Sequence, residues 1–211
     1  MYTSEPATLY DIACYNQYFA VAPFFNTGKE GFVDLGAYTG DTIERFLFEH
    51  QGSFSHIWAF EPGQKQFAAL EFRTKRLVEE WALEREKITL ENKGIGGKSE
   101  CLYAIEGDNL LGMQLSAHGE KKITVVSLDD YFEREDNVTF IKADIEGLEY
   151  ETFCGAKKLI QKLHPKLAVS VYHKPDDLIR IYNLIKSYDC SYRFSLRNHS
   201  SLMMETVLYC Y

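Results

Sequence analysis

Asp144 and Glu146 stand two residues apart at the end of an apolar run, Val138-Thr-Phe-Ile-Lys-Ala143. In an extended chain that spacing puts both carboxylates on one face. His173 closes a second apolar run that starts at Leu167. An imidazole whose ordinary pKa is about 6.5 can act as a general base toward a hydroxyl. Asp144 or Glu146 would orient it or take the proton themselves. The same three groups could gather a hard divalent cation. The metal-free reading comes first, because two carboxylates and a histidine at strand ends are also ordinary pocket lining. A bland alternative for His173 is a hydrogen-bonded pocket residue with no proton to move. Lys142 is read as a structural partner of Asp144 or Glu146, and His199, in a polar loop, as a surface histidine.

A second constellation runs from Gly31 to Asp41. Phe32, Val33 and Leu35 read as a short buried strand. Gly36 and Gly40 allow a tight turn, and Thr39 or Asp41 can cap the helix that begins at Thr42. Strand, glycine turn and helix start form a nucleotide-sized pocket in doubly wound folds. Asp34 sits at the strand's carboxyl end, where it would meet a cation and not a phosphate. That points to S-adenosylmethionine, whose methionyl part carries an ammonium group. Glu61 follows Gly36 by 25 residues at the end of a second strand, His56–Phe60. A carboxylate there can accept two hydrogen bonds from a ribose diol, or it can cap the next helix.

The elements that must position these groups are legible in order. Helical spacing covers Gln64 to Glu86, Glu149 to Leu163, and the stretch from Asp177. Strands are predicted at Ile88–Asn92, Cys101–Ile105, from Ile123, at Val138–Ala143, Leu167–His173, Ser191–Leu196 and Thr206–Cys210. Gly94, Gly96 and Gly97 read as hairpin chemistry, and residues 106–120 as a long loop. The predicted fold is α/β and Rossmann-like: a doubly wound, mostly parallel seven-stranded sheet with an antiparallel C-terminal edge hairpin. Residues 1–29 form an N-terminal helical segment, either packed over the sheet or serving as a lid, and residues 30–211 the main domain.

Composition narrows the partners. With 211 residues and a formal charge of −8, the chain lacks the basic face that nucleic-acid phosphates require. No window reaches the roughly 18 apolar residues of a membrane span. The start, Met1-Tyr-Thr-Ser-Glu-Pro, lacks signal-peptide character. The five cysteines show no C-x-x-C pair. The expectation is a reduced, cytoplasmic protein without membrane or nucleic-acid partner; its oligomeric state is not legible.

Several segments together are familiar: Phe-Val-Asp34-Leu-Gly36-Ala-Tyr-Thr-Gly40-Asp, Ala-Phe-Glu61-Pro, Ser-Leu-Asp-Asp-Tyr-Phe, Ile-Lys142-Ala-Asp144-Ile-Glu146-Gly-Leu-Glu, and Val-Ser-Val-Tyr-His173-Lys-Pro-Asp-Asp-Leu. In this order they resemble the FkbM family of S-adenosylmethionine-dependent methyltransferases over roughly residues 30 to 210. The resemblance implies methyl transfer to a hydroxyl oxygen on a sugar, polyketide or similar small molecule. It implies that Asp34, Gly36, Ala37, Tyr38, Thr39 and Gly40 line the methionine end of the cofactor, and that Glu61, with Pro62 beside it, holds the ribose. Asp144 and Glu146 would face the reacting centre, Asp144 touching the cofactor as well, and His173 would stand beside them.

Two rivals remain. A nicotinamide oxidoreductase is weakened because Gly36-Ala-Tyr-Thr-Gly40 is not G-x-G-x-x-G. A module that binds the cofactor without turnover keeps the same residues. An Asn-Pro-Pro-Tyr or Asp-Pro-Pro-Tyr segment, the mark of amine acceptors in nucleic acid, is replaced by Asp144-Ile-Glu-Gly.

Overall fold

A computed structural model describes residues 16–25, 28–105, 114–116, 121–200 and 204–211. Its strands are β1 (Glu30–Leu35), β2 (Phe54–Phe60), β3 (Ile88–Glu91), β4 (Gly94–Ile95), β5 (Glu100–Ile105), β6 (Gln114–Ser116), β7 (Lys121–Val126), β8 (Phe140–Ala143), β9 (Lys166–Ser170), β10 (Phe194–Asn198) and β11 (Thr206–Cys210). Its helices are α1 (Asp41–Glu49), α2 (Gln64–Glu80), α3 (Leu128–Tyr131), α4 (Glu149–Cys154), α5 (Lys157–Leu163) and α6 (Asp177–Tyr188).

Seven strands form the main sheet in the order β10-β11-β9-β8-β1-β2-β3. β1 pairs in parallel with β2 and with β8, and β8 with β9. Only β11 runs antiparallel, to β9 and β10. This is the predicted mostly parallel sheet with its closing hairpin. The chain leaves β1 toward β2 and β3, then returns to β8 on the other side of β1. That reversal is the place where such sheets bind ligands, outside the carboxyl ends of the strands.

Every residue of β1 is buried, because both faces of the sheet are covered. Val33, Leu35, Ile141 and Ala143 face one core, packed with Phe153 and Ile181. Phe32 and Phe140 face the other, with Phe46, Phe19 and Phe24. Asp34 shares the parity of Phe32 and so points to this second side. Phe19 meets the Phe140 ring edge-on at 5.8 Å. Residues 16–25 therefore pack over the sheet, through one 3₁₀ turn at Ala22–Phe24. Residues 1–15 and 26–27 of the predicted helical segment lie outside the described residues.

Several local expectations are corrected. The cap of α1 is Gly40, left-handed at φ 82°, with no side-chain cap bond, so neither Thr39 nor Asp41 caps it; Asp41 is the first helical residue. α2 stops at Glu80, and Ala82 turns the chain at φ 50°. The predicted 149–163 helix is two helices, broken at Gly155, where a Cβ would meet the Gly97 carbonyl oxygen at 2.7 Å. Gly94 to Gly97 make no hairpin: β4 pairs in parallel with β7, and β5 pairs with the other edge of β7. β6, inside the predicted 106–120 loop, pairs with β5 and completes a second, four-stranded sheet; residues 106–113 and 117–120 lie outside the described residues. No helix among the described residues is long and apolar enough to cross a membrane.

Candidate functional site at the strand tips

The turn after β1 is held by backbone. Gly36 and Ala37 donate their N–H groups to the Phe60 carbonyl at 3.1 and 3.0 Å. Gly36 has φ 76°, and a Cβ there would stand 1.9 Å from the Asp144 carbonyl oxygen. Only glycine lets β1 and β8 leave the sheet so close together. Tyr38 is exposed and left-handed at φ 47°, Thr39 and Pro62 are half-buried, and Ala37 is buried.

Glu61 faces this turn from β2. Its Oε2 accepts the Tyr38 N–H at 2.9 Å and its Oε1 the Gly63 N–H at 2.7 Å. Burial raises its pKa, and those two N–H groups work against the rise. The carboxylate thus staples the glycine turn to the turn after β2, while the helix cap itself is Gly63. A carboxylate has about four acceptor sites, so about two remain for a ligand.

Asp34 does not present its charge to a ligand. It is fully buried, and Lys142 Nζ stands 3.0 Å from its Oδ1. The two residues are register partners on β1 and β8. Lys142 also donates to the Leu35 and Gly36 carbonyls at 3.2 and 2.7 Å. Two carbonyl acceptors and an adjacent carboxylate suit a charged lysine. Burial opposes that charge, but Asp34 and then Asp144 hold the lysine pKa above its usual value. Burial pushes the Asp34 carboxyl up against the pull of Lys142. The expectation that Lys142 pairs with Asp144 or Glu146 is corrected: its ion-pair partner is Asp34.

β8 ends at Ala143, so Asp144 and Glu146 are not on an extended chain. Glu146 and Gly147 turn with φ 55° and 90°. β9 likewise ends at Ser170, and His173 lies beyond it. The turns nevertheless bring the predicted residues together. His173 Nε2 is 3.5 Å from Asp144 Oδ1 and 3.6 Å from Glu146 Oε2. Its Nδ1 is 3.0 Å from Glu149 Oε1. Burial lowers the His173 pKa, but Glu149, Asp144 and Glu146 together outweigh it and raise the imidazole above its usual range. Burial also raises Glu146, against the pull of His173. Asp144 further accepts the Tyr18 hydroxyl at 2.6 Å on Oδ2 and the Tyr172 hydroxyl at 3.4 Å on Oδ1. Burial, then Asp144, raises the Tyr18 pKa, so its hydroxyl stays a donor. His199 is elsewhere, bonded to the Tyr209 hydroxyl at 2.9 Å.

Glu149, Tyr18 and Tyr172 were not among the predicted site residues. Glu149 had a signal: an acid opening a helix just after a strand-tip turn. Tyr18 had none, since its approach depends on a left-handed backbone, φ 68°.

Five carboxylates (Asp34, Glu61, Asp144, Glu146 and Glu149) sit with two bases, Lys142 and His173, around these tips. The surplus of negative charge suits a cationic ligand, and Asp144 and Glu146 are the acids among them that reach solvent. Glu61, with acceptor sites left over, suits a diol. The residues present therefore fit a cationic nucleoside. Asp144, Glu149 and His173 also bring metal-type donor atoms within 4.8 Å of one another, with Glu149 in the place expected for Glu146.

The methyltransferase FkbM domain family matches residues 34–194. A solved FkbM methyltransferase from Methylobacillus flagellatus KT is similar at 28% identity and a TM-score of 0.78, over 98% of this chain and 50% of that one. The chain thus spans about half the length of that relative. A putative rRNA methylase from Clostridium thermocellum shares the fold at 13% identity and a TM-score of 0.53, over 100% and 96% of the two chains. Aeropyrum pernix fibrillarin, solved with S-adenosyl-L-methionine bound, does so at 9% identity and 0.56, over 97% and 74%. Among curated proteins, no match is found.

Proposed function

The chain belongs to the FkbM methyltransferase family, and from that premise we propose that it binds S-adenosylmethionine and methylates a hydroxyl oxygen on a small molecule. The observation that carries this reading is His173 Nε2, set between Asp144 and Glu146 beyond the ends of β8 and β9. A hydroxyl acceptor has to lose a proton, and an imidazole near the strand tips at the sheet's reversal supports that role.

When bound, the cofactor supplies an electrophilic methyl group on a sulfonium sulfur. Glu61 would hold the ribose hydroxyls, the turn from Gly36 to Gly40 would flank the methionyl part, and Asp144 would meet its ammonium. The chain's own work is alignment and proton removal. His173 accepts the acceptor's proton at Nε2, and the surrounding carboxylates stabilise the imidazolium that forms. The raised pKa makes the imidazole a stronger base and confines its action to pH above its midpoint. Tyr18 and Tyr172 fix the Asp144 carboxylate by donating to both of its oxygens. The likeness to an rRNA methylase is one of fold; the charge of −8 supports a small acceptor.

The test is calorimetry with S-adenosylhomocysteine, followed by transfer of labelled methyl to a panel of hydroxylated small molecules and to RNA. Binding that Glu61→Ala weakens at least tenfold, with label on a hydroxyl compound, is expected. No binding by the parent chain would overturn the cofactor reading, and label on RNA alone would overturn the acceptor class.

A further inference from the structure

Glu149 opens α4 and is fully buried. Its Oε1 makes two contacts. It accepts the Ile145 N–H at 2.8 Å, which closes the turn carrying Asp144 and Glu146 away from β8. It also stands 3.0 Å from His173 Nδ1. One carboxylate oxygen therefore ties the acidic turn to the imidazole. Its other oxygen is buried with no hydrogen-bond partner among the described residues. A buried carboxylate oxygen without a donor favours a cation close by, and His173 is the base beside it.

Asp144 and Glu146 cannot orient the ring in this way. At 3.5 and 3.6 Å from Nε2 they lie beyond hydrogen-bond length, and they sit on the nitrogen that must stay open for chemistry. The Tyr172 ring, 4.2 Å away by centroid, limits rotation from a third side. Nδ1 lies 3.0 Å from Glu149 without the geometry of a hydrogen bond, as catalytic pairs often do before substrate binds.

We infer that Glu149 is a positioning residue for His173: it holds Nδ1, so that Nε2 faces the acceptor hydroxyl, and it locks the Asp144–Gly147 turn in the matching place. The inference rests on the proposed methyl transfer for its catalytic meaning. In that step the acceptor O–H bond breaks and its proton goes to Nε2. The oxygen electron pair forms the bond to the methyl carbon, and the carbon–sulfur pair stays on sulfur. Nδ1 keeps its own proton toward Glu149, whose charge balances the new imidazolium. The proton later leaves Nε2 for water.

The experiment is a titration of the His173 ring by nuclear magnetic resonance, in the parent chain and in E149Q, with and without S-adenosylhomocysteine. The groups that face the ring are Glu149, Asp144, Glu146 and Tyr172. E149Q keeps an acceptor for the Ile145 N–H and removes the charge. A downward shift of the His173 midpoint is expected; an unmoved midpoint in folded E149Q overturns the inference. Should E149Q fail to fold, the ring nitrogen shifts of the parent decide. Above the midpoint the Nδ1–H tautomer is expected, and a dominant Nε2–H tautomer overturns the inference. Calorimetry on the same samples reads the cofactor separately. Binding with an unmoved midpoint removes Glu149 and leaves methyl transfer. A shifted midpoint without binding supports the Glu149–His173 pair and removes methyl transfer.

Discussion

Lys142 Nζ reaches from β8 to within 3.0 Å of Asp34 Oδ1 on β1, and both side chains are almost wholly out of water. Removing one partner of such a pair leaves a buried charge uncompensated, which costs roughly 3–5 kcal/mol. Lys142→Met should destabilise the chain by about that much in chemical denaturation, and Asp34→Asn combined with it should recover part of the loss. If Asp34 served the ligand instead, Asp34→Asn would leave stability alone and weaken S-adenosylhomocysteine binding.

Tyr18 donates to Asp144 at 2.6 Å from a segment far away in sequence. Hydrogen bonds to charged groups contribute about 1.5–3 kcal/mol. Tyr18→Phe is expected to lower stability by about 1.5 kcal/mol or more, measured by urea unfolding, because the ring still packs while Asp144 loses a donor. A fully stable Tyr18→Phe would mean that the bond carries no weight in solution.

His173 must be neutral to accept a proton, and its pKa is raised: burial lowers it, but Glu149, Asp144 and Glu146 more than offset that. Methyl transfer should therefore rise with pH through a midpoint above the ordinary value of about 6.5. His173→Ala should abolish transfer and leave cofactor affinity unchanged. A rate flat across neutral pH, or turnover in His173→Ala, would remove the imidazole from the reaction.

His50 is buried between Phe46 and Phe19, with Nδ1 on the Phe46 carbonyl and Nε2 without a hydrogen-bond partner among the described residues. Burial lowers its pKa. A histidine depressed in the folded state contributes stability above its unfolded pKa and loses it as pH falls toward the folded one. Stability measured at about pH 7.5 and about pH 5.5 should fall with acid, and the fall should shrink in His50→Phe. An equal fall in both would place the acid sensitivity elsewhere, His56 being the next depressed histidine.

The sheet was legible because its strands are short, mostly apolar runs bounded by polar or turn residues, as at Phe32–Leu35 before Gly36 and at Leu167–Ser170. The meeting of His173 with Asp144 and Glu146 was legible because all three follow such runs. Its geometry differs from the expected extended face: the two acids share a turn. That Asp34 pairs with Lys142 was not legible, because sequence does not reveal that the two are register partners on neighbouring strands. Gly155 divides two helices because another turn presses on it, and that contact is likewise invisible locally.

The bond from Lys142 to the Leu35 carbonyl joins positions 107 apart. Closing so long a span has to be met in chain entropy before any of its contacts form. Until β8 lies beside β1, Asp34 lacks the charge of Lys142 and the Gly36 turn lacks the Asp144 carbonyl that walls it. Both ends of the candidate site are thus built by one pairing between strands distant in the chain.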